Sequence, residues 1–228
     1  MKSIIVHYHI FKNSGSTFDE VLRRNYRDGH VEFDGPFDFF KINQDELLKI
    51  LRNLTATSCS SHQINLPVPT SIDIRALPVV FLRHPMLRIR SIFRYGKRIG
   101  GDCAERGGDF ARWIRIGPQS PGRMRILSNA QTQALAGVYG REAVFRRTES
   151  GGFRLDFEQA IRNLSSVELL ARTEHFDRDV AAFANPLQQH GIEFNHVPIE
   201  PENVTTHDFD RPLADRLEQI RVQIGDEL

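Results

Sequence analysis

The sequence predicts a three-layer α/β fold with a mostly parallel central sheet flanked by helices. Short apolar runs bounded by turn residues alternate with amphipathic stretches, which is the pattern of successive β-α units. The clearest later run, residues 78–82, is continuously apolar, as expected of a strand buried on both faces. The 228 residues are enough for one substantial hydrophobic core, so we predict a single domain over residues 1–228.

The first half of the chain contains the clearest elements. Residues 3–11 are predicted to form a buried strand, and residues 17–28 a helix with an apolar face that includes Phe18 and Leu22. Residues 30–34 are a candidate second strand. Asn43, with Glu46 three residues later, is typical of a helix N-cap, so a second helix is expected from there. Strands at 57–61 and 78–82 follow, and Pro85 begins a helix to Arg98.

The second half alternates in the same way, apart from one segment. Residues 100–123 are rich in glycine and arginine and are predicted to be a flexible insertion. Further helices are expected at 124–136, 156–164, 174–190 and 212–224, and further strands at 167–171 and 192–197. Pro186 should kink or shorten the helix at 174–190.

Composition excludes several classes of protein. With 30 basic and 29 acidic residues, the net charge of +1 offers no general attraction to nucleic acid, and we expect no such partner. The two cysteines, Cys59 and Cys103, form no zinc-binding pattern and favour a reducing compartment. There is no uncharged apolar run of about 18 residues, so we expect no transmembrane segment and a cytoplasmic location. The oligomeric state is not encoded in any pattern we find.

The first β-α junction has the composition of an anion-binding loop. Unpaired N–H groups at a helix start attract anions, and here Ser14, Ser16 and Thr17 add hydroxyl groups while Lys12 adds a positive charge. An ordinary Ser/Thr cap beside a surface lysine is an equally good interpretation of this segment alone. The loop is not a Walker A motif, because its lysine precedes Gly15 instead of following the second glycine.

The second junction places Arg83 at the end of a strand and Ser91 on the helix that follows. Such a pair can bind a second anionic group, with the guanidinium as a forked donor. Because ligands of open parallel sheets bind beyond the carboxyl ends of the strands, both junctions are expected at the same edge of the sheet.

Together, residues 11–18 (FKNSGSTF) and 79–93 (VVFLRHPMLRIRSIF) resemble the sulfotransferase superfamily, in particular its carbohydrate branch, which includes the heparan and chondroitin sulfotransferases. The resemblance implies a P-loop-like α/β fold. In that family the first motif binds the 5′-phosphosulfate of 3′-phosphoadenosine 5′-phosphosulfate (PAPS), and the second binds its 3′-phosphate. This chain has Phe11 where proline is usual and Asn13 where threonine is common.

Two later segments also resemble the family. Residues 128–137 are similar to a helix ending in Leu-Ala-Gly, and residues 170–176, including Thr173, to a strand and turn that border the adenine. Family members usually continue beyond the equivalent of Leu228 with more helix, so this sequence is expected to be either a truncated or a minimal member. The resemblance implies a donor-binding set of Lys12, Asn13, Ser14, Gly15, Ser16, Thr17, Arg83, Ser91 and Thr173.

Sulfuryl transfer needs a cation near the leaving phosphate and a base near the acceptor hydroxyl. Lys12 is the candidate for the first role. His62 is the candidate base, because it follows a predicted strand at the same edge of the sheet; a loop histidine bonded to the backbone is the plain alternative. Glu32 and Asp34 are rival bases. No metal is required, and we find no set of ligands spaced for one.

The other histidines and arginines considered are given structural interpretations and no role in the site. His7 and His9 alternate on the first strand and are interpreted as core or edge residues rather than ligands. The basic residues of the helix from Pro85, among them Arg88 and Arg90, are predicted to form a solvated face.

The leading hypothesis is therefore a PAPS-dependent sulfotransferase acting on a hydroxyl acceptor, expected to be a saccharide or glycoconjugate. One alternative is a P-loop-like nucleotide kinase or hydrolase, which would need Mg²⁺. The other is a nucleotide- or glycan-binding module without catalytic activity.

Overall fold

A five-stranded, all-parallel sheet lies at the centre of the fold, which confirms the predicted α/β class. The computed structural model describes residues 1–35, 41–100, 109–116, 127–137, 156–199 and 211–225. The strands are β1 (Lys2–Tyr8), β2 (His30–Glu32), β3 (Ser58–Ser61), β4 (Ile74–Leu82) and β5 (Leu169–Arg172). Their spatial order is β2-β3-β1-β4-β5, so β1 is central.

Helices occupy both faces of this sheet. Over the whole described part of the chain, the helices are α1 (Gly15–Tyr26), α2 (Gln44–Asn53), α3 (Pro85–Arg98), α4 (Phe110–Ile116), α5 (Ala130–Leu135), α6 (Phe157–Leu164), α7 (Phe176–Ala181), α8 (Ala184–Gln189) and α9 (Leu213–Ile224), of which α1, α2 and α5–α8 pack on the two faces of the sheet. Short 3-10 turns cover Arg27–Gly29 and Thr173–His175. In this described part of the chain, no helix combines the length and apolarity needed to cross a membrane.

The alternation of side chains along β1 separates two apolar clusters. Ile4, Val6 and Tyr8 pack on one face with residues of α2, α5 and α6. Ile5 packs on the other face with α1, α7 and α8. Since side chains two residues apart share a face of a strand, His7 and His9 follow Ile5 on the α1 side. This alternation brings the two histidines to the helix that follows them in the chain.

Several predicted boundaries differ from the observed ones; β4, for example, begins at Ile74 instead of residue 78, and two other differences have clear local causes. Residues 3–11 were expected as a strand, but β1 ends at Tyr8, because residues 10–13 close a turn in which Asn13 N donates to Ile10 O at 3.2 Å. The predicted helix at 174–190 is divided into a 3-10 turn, α7 and α8. Pro186 lacks an N–H and its ring would meet the carbonyl of Ala182, which explains the break before α8.

The predicted strand at 192–197 is wrong: this described segment forms neither a strand nor a helix. Side chains of α1 hold it instead. Asn25 exchanges two hydrogen bonds with the backbone of Asn195, at 2.7 and 2.9 Å, and the Tyr26 hydroxyl donates to Glu193 O at 3.0 Å. Residues 194 and 199 then pack against the apolar cluster on the α1 side.

The chain divides into two compact units. The first, Met1–Leu82 with Ala130–Glu200, contains the sheet, and the second, Arg83–Asn129 with Pro201–Leu228, contains α3, α4 and α9. The prediction of one domain over residues 1–228 remains a prediction. Much of the predicted insertion at 100–123, and residues 124–126 of the predicted helix, lie outside the described residues; within the insertion, Phe110–Ile116 forms α4.

In the second unit, two arginines of α3 are buried, which contradicts the predicted solvated face of this helix. Its basic residues were predicted to form a solvated face, but the side chains of Arg88 and Arg90 are only 3% and 4% exposed. The helix keeps its apolar contacts as well, since Phe93 packs against Phe110 and Trp113 with ring centroids 5.3 and 5.4 Å apart. A solvated basic face is therefore confined to the end of α3, where Lys97 and Arg98 are exposed.

The start of α2 provides a test of the local fold. Asn43 Oδ1 accepts from Glu46 N, and Glu46 Oε2 accepts from Asn43 N, both at 2.9 Å, so a complete capping box begins the helix. We predict that Asn43→Ala lowers the free energy of unfolding by about 1 kcal/mol, measured by urea denaturation. Lys49→Ala, an exposed change on the same helix, is the control and should stay within about 0.5 kcal/mol of wild type. Equal effects of the two changes would contradict the assignment.

Candidate functional site

The loop between β1 and α1 has a strained backbone. Lys12 and Ser14 have φ values of 66° and 64°, in the left-handed region that residues other than glycine rarely occupy. Ser14 is the N-cap of α1, yet its side chain makes no capping hydrogen bond, and no acidic residue lies in the first turn. A helix start with alternating backbone handedness before it presents N–H groups suited to an anion.

Asn13 anchors this loop to β4 and α5. Its side chain is fully buried, and Nδ2 donates both to Phe81 O on β4, at 2.7 Å, and to Gln131 Oε1 on α5, at 2.8 Å. Both amide hydrogens are therefore used within the protein, and the main-chain N–H donates to Ile10 O, so Asn13 shapes the loop and its own donors are already engaged. Ser14 and Ser16 remain partly exposed, whereas Thr17 is buried.

Gly15 is required by the close approach of a histidine ring. A Cβ atom built on Gly15 would lie 2.0 Å from His9 Nε2 and 2.1 Å from His9 Cδ2, far inside van der Waals contact. The His9 imidazole thus packs directly over the first residue of α1. This contact joins the end of β1 to the start of α1.

The parallel register of β1 and β3 places a second histidine beside His9. Tyr8 pairs with Ser61, so the next residues on the two strands, His9 and His62, leave the sheet side by side. Their rings stack with centroids 3.8 Å apart and planes 27° apart. The His9 ring therefore lies between His62, the predicted base, and the loop that contains Lys12.

Asp34, a rival candidate for the base, instead supports His62. Its Oδ2 lies 3.0 Å from His62 Nδ1, and its Oδ1 accepts from His62 N at 2.9 Å and from the Ser61 hydroxyl at 2.8 Å. An ionised carboxylate only accepts hydrogen bonds, so Nδ1 of His62 carries the proton and Nε2 is left as a proton acceptor. The other rival, Glu32, pairs with Arg23 at 3.0 Å.

A buried carboxylate that the sequence analysis missed organises the site. Asp19, on α1, lies between the two histidines of β1: Oδ1 is 2.8 Å from His7 Nδ1, and Oδ2 is 3.2 Å from His9 Nδ1. The Ser60 hydroxyl also donates to Oδ1, at 2.5 Å. The signal in the sequence was the pair of histidines two residues apart, which share one face of a strand and need a common polar partner when buried.

Burial and these contacts set the protonation states. Burial lowers the pKa of His9, although the hydrogen bond with Asp19 acts in the opposite direction. Burial, followed by the neighbouring His9, lowers the pKa of His62, against the effect of Asp34. Burial alone would raise the pKa of Asp19, but the nearby His7 and the hydrogen bonds from His7 and His9 outweigh it, so that pKa lies well below its usual range. At neutral pH the carboxylate is ionised and both His9 and His62 are neutral.

The same residues offer a possible metal-binding set. Ligand atoms of His7, His9 and Asp19 lie within 4.8 Å of one another. The rings of His7 and His9, however, stack 5.1 Å apart with planes only 21° apart. The Nδ1 atoms of both rings already contact the Asp19 carboxylate, at 2.8 and 3.2 Å. The arrangement favours a hydrogen-bonded network over a metal centre.

The remaining predicted donor-binding residues lie elsewhere in the chain. Arg83 directly follows β4 and Ser91 lies on α3, and both belong to the second unit. Thr173, in the first unit, begins the 3-10 turn after β5; it is buried, and its hydroxyl has no hydrogen-bond partner among the described residues. The assignment of these three residues to a donor remains a prediction.

Comparison with known proteins gives one relative and no family. The chain is 26% identical to an uncharacterized protein of Archaeoglobus fulgidus over 231 aligned residues, covering 97% of this chain and 87% of the relative. No protein-family model matches the chain. The function must therefore be argued from the site itself.

The contact between Gly15 and His9 gives a direct prediction. Gly15→Ala places a methyl group where the His9 ring lies, so the ring must move and the His9–His62 stack must open. We expect a loss of about 1–3 kcal/mol in unfolding free energy, with displaced histidine resonances in the NMR spectrum. Gly29→Ala is the matched control, because its Cβ would come no closer than 3.4 Å to any atom. An unchanged histidine spectrum in Gly15→Ala would contradict the packing described.

The lowered pKa values predict acid sensitivity. A group whose pKa is lower in the folded than in the unfolded state binds more protons on unfolding, so acid favours the unfolded state. His9, His30 and His62 all have a pKa below the ordinary value of 6.5. We expect the unfolding free energy, measured by urea denaturation at several pH values, to fall as the pH drops below about 6.5. Stability that is constant or rises over that range would show that these rings are not held neutral.

Proposed function

We propose that the protein is a sulfotransferase that moves a sulfuryl group from PAPS to a hydroxyl acceptor, with the site at the carboxyl ends of β1 and β3. The observation that carries this proposal is the His9–His62 stack, which brings an Asp-oriented imidazole next to an anion-binding loop. Sulfuryl transfer needs those two parts together: a cradle for the donor phosphate and an acceptor for the hydroxyl proton.

The loop has the features that a phosphosulfate group requires. Its main chain bends at Lys12 and Ser14, and α1 begins without a side-chain cap. Such a cradle supplies N–H donors and the positive end of the helix dipole. The Ser14 and Ser16 hydroxyls are partly exposed and can add hydrogen bonds. The residues present therefore fit an anion of this type.

Lys12 is assigned to the charge that develops on the leaving phosphate. Lys12 is one of the two residues of this loop with a positive φ, and its ammonium group lies 5.7 Å from the centroid of the Phe11 ring. A cation stabilises a transition state most when it lies close to the oxygen that gains charge. When bound, PAPS supplies the sulfuryl group, and the protein supplies position and charge.

His62 is assigned to the proton of the acceptor hydroxyl. Asp34 fixes the Nδ1 proton, so Nε2 is free to accept, and the lowered pKa keeps the ring unprotonated at neutral pH. The side chain is 45% exposed, which allows a substrate to reach it. The acceptor class follows only from the resemblance of the two motifs to carbohydrate sulfotransferases, which makes a saccharide or glycoconjugate the first class to test.

Donor binding can be tested without an acceptor. We predict that 3′-phosphoadenosine 5′-phosphate binds in the presence of a metal chelator, measured by titration calorimetry, and that Lys12→Ala weakens binding by about 10- to 100-fold, as loss of a charge-assisted contact should. Lys49→Ala, an exposed lysine on α2, is the control and should bind as wild type does. Binding of ATP only in the presence of Mg²⁺ would favour the kinase or hydrolase alternative instead.

The base assignment predicts a different pattern. His62→Ala should bind 3′-phosphoadenosine 5′-phosphate as wild type does, while transfer to desulfated heparin or chondroitin falls by about 10²- to 10⁴-fold. The change leaves the loop of Lys12 intact, so affinity and turnover should separate. Loss of both together would mean that His62 has a structural role in the donor site and is not the base.

A further inference from the structure

We propose that Asp19 and His9 form a positioning pair for His62: the carboxylate fixes the His9 ring, and that ring is the platform which orients the His62 imidazole toward its substrate. This inference rests on the proposed function for the reaction that His62 serves. The pair touches His62 and the loop, and no role in binding the acceptor is assigned to it.

The geometry argues for a platform built from several elements. His9 is held on one side by Asp19 Oδ2, at 3.2 Å, and on another by the bare Cα of Gly15. Its ring face then supports His62, with centroids 3.8 Å apart. A ring fixed at its edge and supported on one face cannot turn freely, so the orientation of His62 is determined by two contacts, the stack on His9 and the hydrogen bond to Asp34.

His9 and His62 each have a carboxylate at the same ring nitrogen. Each has its own carboxylate at Nδ1, Asp19 for His9 and Asp34 for His62, so each leaves Nε2 as a proton acceptor. Two protonated rings in this stack would place two positive charges less than 4 Å apart, which is unfavourable in a partly buried site. Protonation of one ring therefore opposes protonation of the other, and the pair binds its two protons in separate steps.

The charged groups around His62 come from several elements. Asp34 follows β2, Asp19 lies on α1, and His9 follows β1 with His7 stacked behind it. The Lys41 ammonium donates to the His62 carbonyl at 2.6 Å. Among these groups His9 opposes protonation of His62, whereas Asp34 and Asp19 favour it. Removing His9 or removing Asp19 should therefore shift the His62 titration in opposite directions.

The test is an NMR titration of the His62 ring proton in the complete chain, with the resonance assigned by its loss in His62→Asn. In His9→Phe a flat ring remains but the titrating group is gone, so the midpoint should move to higher pH. In Asp19→Asn a nearby negative charge is gone, so the midpoint should move to lower pH. His190→Asn, in the same unit but bonded to Glu168 instead, is the control and should leave the His62 midpoint unchanged.

If His9→Phe does not fold, His9→Asn replaces it, since the shorter amide can keep the hydrogen bond to Asp19. An unchanged or lowered His62 midpoint in the folded His9 variant would overturn the proposal, as would an unchanged or raised midpoint in Asp19→Asn. The transfer reaction supplies a second readout: the acid limb of its pH profile should move with the His62 midpoint. A uniform loss of rate with no movement of that limb would show a merely structural role and would also overturn it.

This test is separable from the proposed function. The titration needs neither donor nor acceptor, so shifted midpoints together with absent binding of 3′-phosphoadenosine 5′-phosphate would support the pair and contradict the sulfotransferase. Donor binding together with unshifted midpoints would support the sulfotransferase and contradict the role of the Asp19–His9 pair.

Discussion

The pairing of β1 with β3 is the constraint on which the candidate site depends. Because Tyr8 pairs with Ser61, the residues that follow, His9 and His62, leave the sheet next to each other and stack. A slip of one residue would turn one of the two side chains to the opposite face of the sheet. The apolar core protects the register, since Ile4 and Val6 face one cluster while Ile5 faces the other. Core packing and site geometry are therefore two consequences of one strand pairing.

The site also shows how a buried charge is accommodated. Asp19 lies in the apolar layer between α1 and the sheet, where an unpaired carboxylate would be very costly. Three donors surround it, from His7, His9 and Ser60, so the carboxylate is ionised and satisfied. One of these donors, His9, packs over the bare backbone at Gly15. The β1–α1 loop and His62 are therefore connected through His9, which Asp19 holds in place.

Much of the fold followed from local sequence signals. The helix from Pro85 to Arg98 has the predicted bounds, and the capping box at Asn43 begins α2 as expected, because proline and cap residues act within a few positions of themselves. What local patterns could not supply were contacts between distant segments. The role of Asp19 depends on histidines from a neighbouring strand, the segment at 192–197 is held by side chains of α1, and the burial of Arg88 and Arg90 depends on tertiary packing. Lys12 and His62 were proposed from motif and position, but the His9 platform between His62 and the loop was not foreseen.

The central claim is that this chain transfers a sulfuryl group, and the most direct measurement follows the group itself. Purified protein would be incubated with PAPS carrying radiolabelled sulfate and with desulfated heparin or chondroitin, in the presence of a metal chelator. The account predicts that label moves to the saccharide, that Lys12→Ala and His62→Ala reduce the transfer, and that Lys49→Ala does not. If label stays on the donor with wild-type protein that is folded and binds 3′-phosphoadenosine 5′-phosphate, the site is a nucleotide-binding site without transfer, and the account is contradicted.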